Sequence, residues 1–127
     1  MSALVLDAGA LMGVDRDDRA MIARLRVAQR HGMDLRSNAM VVAQVWRDRQ
    51  GRQVQLANLL HAVDIRAVDQ RAGRDAGALL AIAGSADPIH ATVALLAQAG
   101  DRVLTRDPAD LTLLLQAANR PAVVVVC

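Results

Sequence analysis

Two short apolar runs each end in an acid: Leu4-Val5-Leu6-Asp7 and Val103-Leu104-Thr105-Arg106-Asp107. In an α/β protein such acids fall at the C-terminal ends of strands, where open parallel sheets keep their ligand crevice. Carboxylates held together on a rigid edge repel one another, and a hard divalent cation or a shared proton relieves that repulsion. Asp110 follows Asp107 by one helical turn, and Asp87 precedes Pro88 at another junction. Each acid has a second reading. Asp accepts backbone N–H bonds at helix starts, so Asp7, Asp87 and Asp107 also read as N-caps, and Asp110 as a complement to the helix dipole. The chemical reading gains from their all lying at element junctions that one sheet edge can gather. A carboxylate cluster without Cys or a clear His pair suits Mg²⁺ or Mn²⁺ rather than Zn²⁺. Such ions hold and polarise phosphoryl oxygens and activate water, the usual machinery of phosphodiester hydrolysis. His90 reads either as a solvated helix residue or as a ligand or proton donor beside the acids, while His31 and His61 read as structural. No Ser/His/Asp spacing, glycine-rich phosphate loop or zinc motif is present.

The elements that must position these residues alternate along the chain. Ala3–Leu6 reads as a buried strand, broken by the small residues Asp7-Ala8-Gly9-Ala10, which allow close backbone approach. An acidic cluster at 15–18 precedes a helix with Met21, Ile22, Leu25 and Ala28 on one face, ended by His31-Gly32. Asp34–Asn38 reads as a connector with a short strand at its start, and Asn38 as the cap of a helix through Val41, Val42, Val45 and Trp46. Helical periodicity resumes over 54–62, and 63–68 alternates like a strand. Asp69 caps a helix to about Ala83. Asp87-Pro88 opens another that reaches near Gly100. Residues 102–105 form a strand, Asp107-Pro108 starts a helix to about Ala118, and 121–126 form a last apolar strand. The pattern predicts one domain over 1–127: an α/β fold whose parallel sheet is covered by helices on both faces.

Composition narrows the function. With 54% hydrophobic residues the chain can build a sizeable core, and that core is aliphatic: Phe and Tyr are absent and Trp46 is the only aromatic residue. Base stacking on aromatic platforms is therefore unavailable, which argues against RRM-like and OB-fold binders. All 15 basic residues are Arg, which contacts phosphate bidentately, although a GC-rich coding bias gives the same composition. A net charge of +2 does not indicate a strong nonspecific polyanion binder. Cys127 is the only cysteine, so no internal disulfide is expected. No apolar run is long enough to span a bilayer and no signal peptide is visible, so a soluble, cytoplasmic protein is expected.

The residues resemble a PIN domain, the fold of VapC-type toxin ribonucleases. The similarity covers nearly the whole chain, on LVLDAGAL at 4–11, AMVVAQVWRD at 39–48, AGALLAIAGSADPIHATVALLAQAG at 76–100 and VLTRDPADLTLLL at 103–115. It is similar in particular to actinobacterial PIN-like proteins with the same V-V-A-Q-V-W-R segment. The resemblance implies a three-layer fold with a central, mostly parallel sheet of four to five strands. It places the family's first acid on Asp7 and its last on Asp107, with Asp110 close by. A Glu usual in the family falls on Gln44, and the third acid falls on His90, one turn after Asp87. The implied activity is Mg²⁺- or Mn²⁺-dependent endoribonuclease chemistry. Asp7, Asp87 and Asp107 are then catalytic, Asp110 joins them as a metal ligand, and Gln44, His90 and Thr105 line the cleft. Arg47, Arg49, Arg52 and Arg106 are the expected contacts to the RNA backbone, although a solvated face also explains each. The implied partners are an RNA substrate, a small antitoxin laid across the cleft, and a second copy of the chain. The homodimer is expected through Val41–Trp46 and Val54–Leu60, whose apolar faces exceed what one small core needs. Gln44 and His90 also support an alternative, a degenerate PIN domain that binds RNA or a protein without cleaving. A phosphatase-like or receiver-like domain would want a Lys near the phosphate, and the chain has none.

Overall fold

The computed structural model describes residues 2–127. Thirteen short segments follow one another: β1 (Ala3–Leu6), α1 (Ala8–Asp15), α2 (Arg19–Arg30), β2 (Asp34–Asn38), α3 (Ala39–Val45), a 3₁₀ turn (Arg49–Gly51), α4 (Val54–His61), β3 (Asp64–Arg66), α5 (Gln70–Ala83), α6 (Pro88–Ala94), β4 (Arg102–Thr105), α7 (Pro108–Ala117) and β5 (Val123–Val126). The five strands make one sheet in the order β3-β2-β1-β4-β5, and every pairing is parallel. Parallel neighbours need crossovers, and the helices supply them. One helical group is α1, α2 and α4; the other is α5, α6 and α7.

The chain runs outward from β1 through β2 to β3, then returns to lay β4 against the other side of β1. That reversal makes the C-terminal ends of β1 and β4 the topological switch point, where crevices open in sheets of this kind. β1 is buried along its whole length, and Val103 to Thr105 of β4 are buried too. Leu6, Leu11, Leu56, Leu104, Leu111 and Leu114 are fully buried around them, so the aliphatic core expected from composition is what holds the switch point rigid.

Six of the seven helices begin with an Asp or Asn whose side-chain oxygen accepts a backbone N–H: Asp7, Asp18, Asn38, Asp69, Asp87 and Asp107. The capping reading of Asp7, Asp87 and Asp107 is therefore correct, and it leaves the second carboxylate oxygen of each for other work.

The structure departs from the sequence reading at several elements. The small residues after Asp7 are not a break but the first turn of α1. There Gly9 permits close approach, since a Cβ at Gly9 would lie 2.7 Å from Arg106 Cγ and 2.9 Å from Cys127 Sγ. The whole of Asp34–Asn38 is strand rather than connector, because its buried polar side chains have partners. Ser37 Oγ donates to the Leu6 carbonyl, and Asn38 Nδ2 donates to Thr92 Oγ1. Strand β3 covers only Asp64–Arg66 of the expected 63–68. Helix α6 stops at Ala94 rather than near Gly100, since Asp101 gathers the following turn by accepting from the Gln98 and Ala3 N–H groups. The apolar surplus expected on 41–46 and 54–60 is largely consumed by the core: Val41, Val45 and Leu56 are buried, and Trp46, Leu59 and Leu60 pack against it. Among the described residues, no helix is long and apolar enough to cross a membrane.

Candidate functional site

Asp7 sits immediately beyond β1, and its backbone N–H donates to the Leu104 carbonyl, which ties it to β4. Its side chain is buried, and the two oxygens have separate tasks. Oδ1 accepts from the Ala8 N–H at 2.8 Å; Oδ2 accepts from Thr105 Oγ1 at 2.7 Å. Thr105, fully buried at the end of β4, also accepts from the Asp107 N–H at 3.0 Å. The Thr105 hydroxyl thus couples the two strand ends.

His90 occupies the centre. Pro88 fixes the start of α6 and Asp87 Oδ1 caps it, accepting from the Ile89 and His90 N–H groups. One turn in, the His90 ring reaches three carboxylates. Nε2 lies 3.4 Å from Asp7 Oδ2, and Nδ1 lies 3.2 Å from Asp87 Oδ2 and 2.6 Å from Asp110 Oδ2. The ring is only 13% exposed. Asp110 gets there from the first turn of α7, where its own N–H donates to the Asp107 cap oxygen at 3.2 Å.

These contacts set the charges. The Asp7 bond raises the His90 pKa, burial opposes it, and Asp110 and the Asp7 and Asp87 charges add to the rise, leaving it at about 9. At neutral pH the cleft without an ion therefore holds an imidazolium among three carboxylates. Burial pushes the Asp7 carboxyl up, but His90, Thr105 and the Ala8 N–H more than offset this and hold it below its usual value. No Arg forms an ion pair with Asp7, Asp87, Asp107 or Asp110 among the described residues.

The donor chemistry fits a divalent cation. One atom each from Asp87, His90 and Asp110 lies within 4.8 Å of the other two. Asp107, expected as a metal corner, is exposed, and its Oδ1 is held at the α7 cap. It lines the open groove over the cluster, together with Gln44, Asp87 and Asp110. Gln44 is exposed on α3. Arg47 turns back onto α3, donating to the Ala43 and Trp46 carbonyls, so its guanidinium is engaged within its own helix end. Arg49 and Arg52 are exposed in and beside the 3₁₀ turn, and Arg106 is exposed between β4 and α7. What the sequence did not disclose is the hub. The spacing of Asp87 and His90 was visible, but the approach of Asp110 depends on how α6 and α7 pack.

The chain matches no protein-family model and no curated protein. Its fold is similar to that of a chain in the crystal structure of VapBC2 from Rickettsia felis bound to a DNA fragment from their promoter. The TM-score is 0.69 at 11% identity, over 97% of this chain and 98% of that one. The PIN-like, three-layer α/β fold that the sequence implies is the fold present.

Proposed function

We propose that the protein is a divalent-metal-dependent endoribonuclease of the VapC toxin type, hydrolysing RNA phosphodiester bonds. The observation that carries this reading is the Asp87–His90–Asp110 donor group beside buried Asp7 at the switch point of a PIN-like sheet. Mg²⁺ or Mn²⁺ bound there supplies positive charge against the scissile phosphate and activates water. The chain's own residues do the rest. Asp7 and Thr105 fix the floor, and α6 carries His90 onto it. Asp107 keeps its second oxygen at the mouth of the groove, where it accepts a hydrogen bond from the attacking water. Gln44 offers a neutral amide to ribose or phosphate at the rim, and Arg49, Arg52 and Arg106 meet the flanking backbone. A small antitoxin that covers the groove would silence the enzyme, in keeping with the VapBC2 complex that shares the fold.

The test is cleavage of a structured RNA with and without added Mg²⁺ or Mn²⁺. Cleavage requires the dication, stops with chelator, and falls by about 10–100-fold in Asp7→Asn, a substitution that leaves the cap oxygen in place. RNA left intact at every dication concentration sinks the reading. Retained RNA binding without cleavage would then support the second one, a PIN-like domain that binds without cutting. His90 is the feature that favours it, since a cation of the protein's own already sits among the acids. In that case Gln44→Glu with His90→Asp restores cleavage.

A further inference from the structure

The two nitrogens of His90 face different partners. Nε2 looks at Asp7, a carboxylate buried and pinned by Thr105 and the Ala8 N–H. Nδ1 looks the other way, between Asp87 Oδ2 and Asp110 Oδ2 at 3.2 and 2.6 Å. Adjacent ligands on an ion with bonds of about 2.1 Å are roughly 3 Å apart at right angles; the 3.2 Å spacing to Asp87 is of that size, and the 2.6 Å contact with Asp110 is a hydrogen bond that a bound ion would replace. A buried carboxylate behind an imidazole is the arrangement that fixes the tautomer of metal-binding histidines, leaving the far nitrogen's lone pair for the ion. The charge balance points the same way. Three carboxylates surround one imidazole, and none of them is ion-paired to an Arg among the described residues.

We propose that Asp87, His90 Nδ1 and Asp110 form a three-donor site for a first-row transition-metal dication in preference to Mg²⁺, and that Asp7 orients His90 rather than binding the ion. The proposal rests on the metal-using reading above and assigns its ligands. Mg²⁺ takes oxygen donors and dehydrates reluctantly, whereas imidazole favours the later first-row ions. A nitrogen at the centre of the site therefore biases it toward Co²⁺, and more weakly toward Mn²⁺, over Mg²⁺. Asp7 becomes a positioning residue, and the acid cluster is reached from α6 and α7 instead of from β1.

Calorimetric titration of the whole chain with Co²⁺, Mn²⁺ and Mg²⁺ in the absence of RNA tests this, together with the visible spectrum of bound Co²⁺ and pulsed EPR of bound Mn²⁺. The expected result is Mg²⁺ binding at least about tenfold weaker than Mn²⁺, and a ¹⁴N coupling to Mn²⁺ that disappears in His90→Asp. His90→Asp also narrows the gap between Mg²⁺ and Mn²⁺. Asp7→Asn keeps the Co²⁺ spectrum with affinity lowered by about 10–100-fold, whereas Asp87→Asn and Asp110→Asn lose it. Circular dichroism verifies that each variant is folded, and Asn at position 87 retains the capping oxygen. Equal affinity for Mg²⁺ and Mn²⁺, absence of the nitrogen coupling, or loss of the Co²⁺ spectrum in Asp7→Asn overturns the proposal. RNA cleavage scored on the same samples separates the two readings. Cleavage with no nitrogen on the metal overturns this assignment and leaves the ribonuclease standing. Metal bound as described with RNA intact does the reverse.

Discussion

His90 is the residue on which the site turns, and its proton is measurable. Its pKa is raised from 6.5 to about 9 in the folded, ion-free protein. A group whose folded pKa lies above its unfolded one stabilises the fold fully below the unfolded value, and that contribution is lost as pH rises through the folded value. Without metal, wild type should therefore melt above His90→Gln at pH 6, with the gap closing between about pH 6.5 and 9. An NMR titration of the imidazole should show its midpoint near 9; a midpoint at or below 6.5 would remove the imidazolium from the argument. Asp7 acts at the opposite end, its lowered pKa adding stability that is lost only as pH falls through the carboxylate range. The sequence disclosed Asp7, Asp87 and Asp107 as junction acids and put Asp107 ahead of Asp110 as the last corner of the site. The α7 start places them the other way round about His90. Asp107 is the cap outside the helix, and the first helical turn swings Asp110 toward α6 and His90.

The elements deliver these residues through their ends, and Asn38 shows how far one cap reaches. Its Oδ1 accepts from the Met40 and Val41 N–H groups, and its Nδ2 donates to Thr92 Oγ1 on α6, the helix that bears His90. Asn38→Ala should cost about 2 kcal/mol in urea denaturation: roughly 1 for the lost cap and a similar amount for the buried Thr92 hydroxyl left without its donor. Asn38→Ser keeps a capping oxygen and should recover about the first half. Equal losses in the two variants would show that the cap contributes nothing. The helices α2, α5 and α7 were legible from their starts, marked by the acids at 15–18, by Asp69 and by Asp107-Pro108, and α2 also from its apolar period and the His31-Gly32 end. Helix α1 was not, since the small residues around Gly9 read as a break until Arg106 and Cys127 are seen packed against it. Strand β2 hid because Ser37 and Asn38 are polar, and only their long-range hydrogen bonds make their burial tolerable. The end of α6 is set by Asp101 reaching back to Ala3, a contact between residues 98 positions apart that no local pattern carries.

For the whole molecule, the cluster joins parts of the chain that only the complete sheet brings together. Asp7 follows the first strand, Asp87 and His90 come with the crossover that returns the chain to β4, and Asp110 follows β4 itself. Unfolding separates all of them, so an ion that binds the folded cluster and not the open chain stabilises the molecule globally. At a free ion concentration about 100 times its Kd, the gain is about 2.7 kcal/mol, which for a domain of this size raises the melting temperature by roughly 10 °C. The ion must also displace the proton from His90, because a metal-binding imidazole is neutral. The shift on adding a fixed concentration of Mn²⁺ should therefore grow from pH 6 to pH 8, opposite in sign to the pH dependence of the metal-free protein. Differential scanning calorimetry at the two pH values checks both signs in one experiment. Asp110→Asn, which deletes a donor facing Nδ1, should melt at the same temperature with and without Mn²⁺. A metal shift that is the same at pH 6 and pH 8, or that survives in Asp110→Asn, would place the ion away from His90 and its three carboxylates.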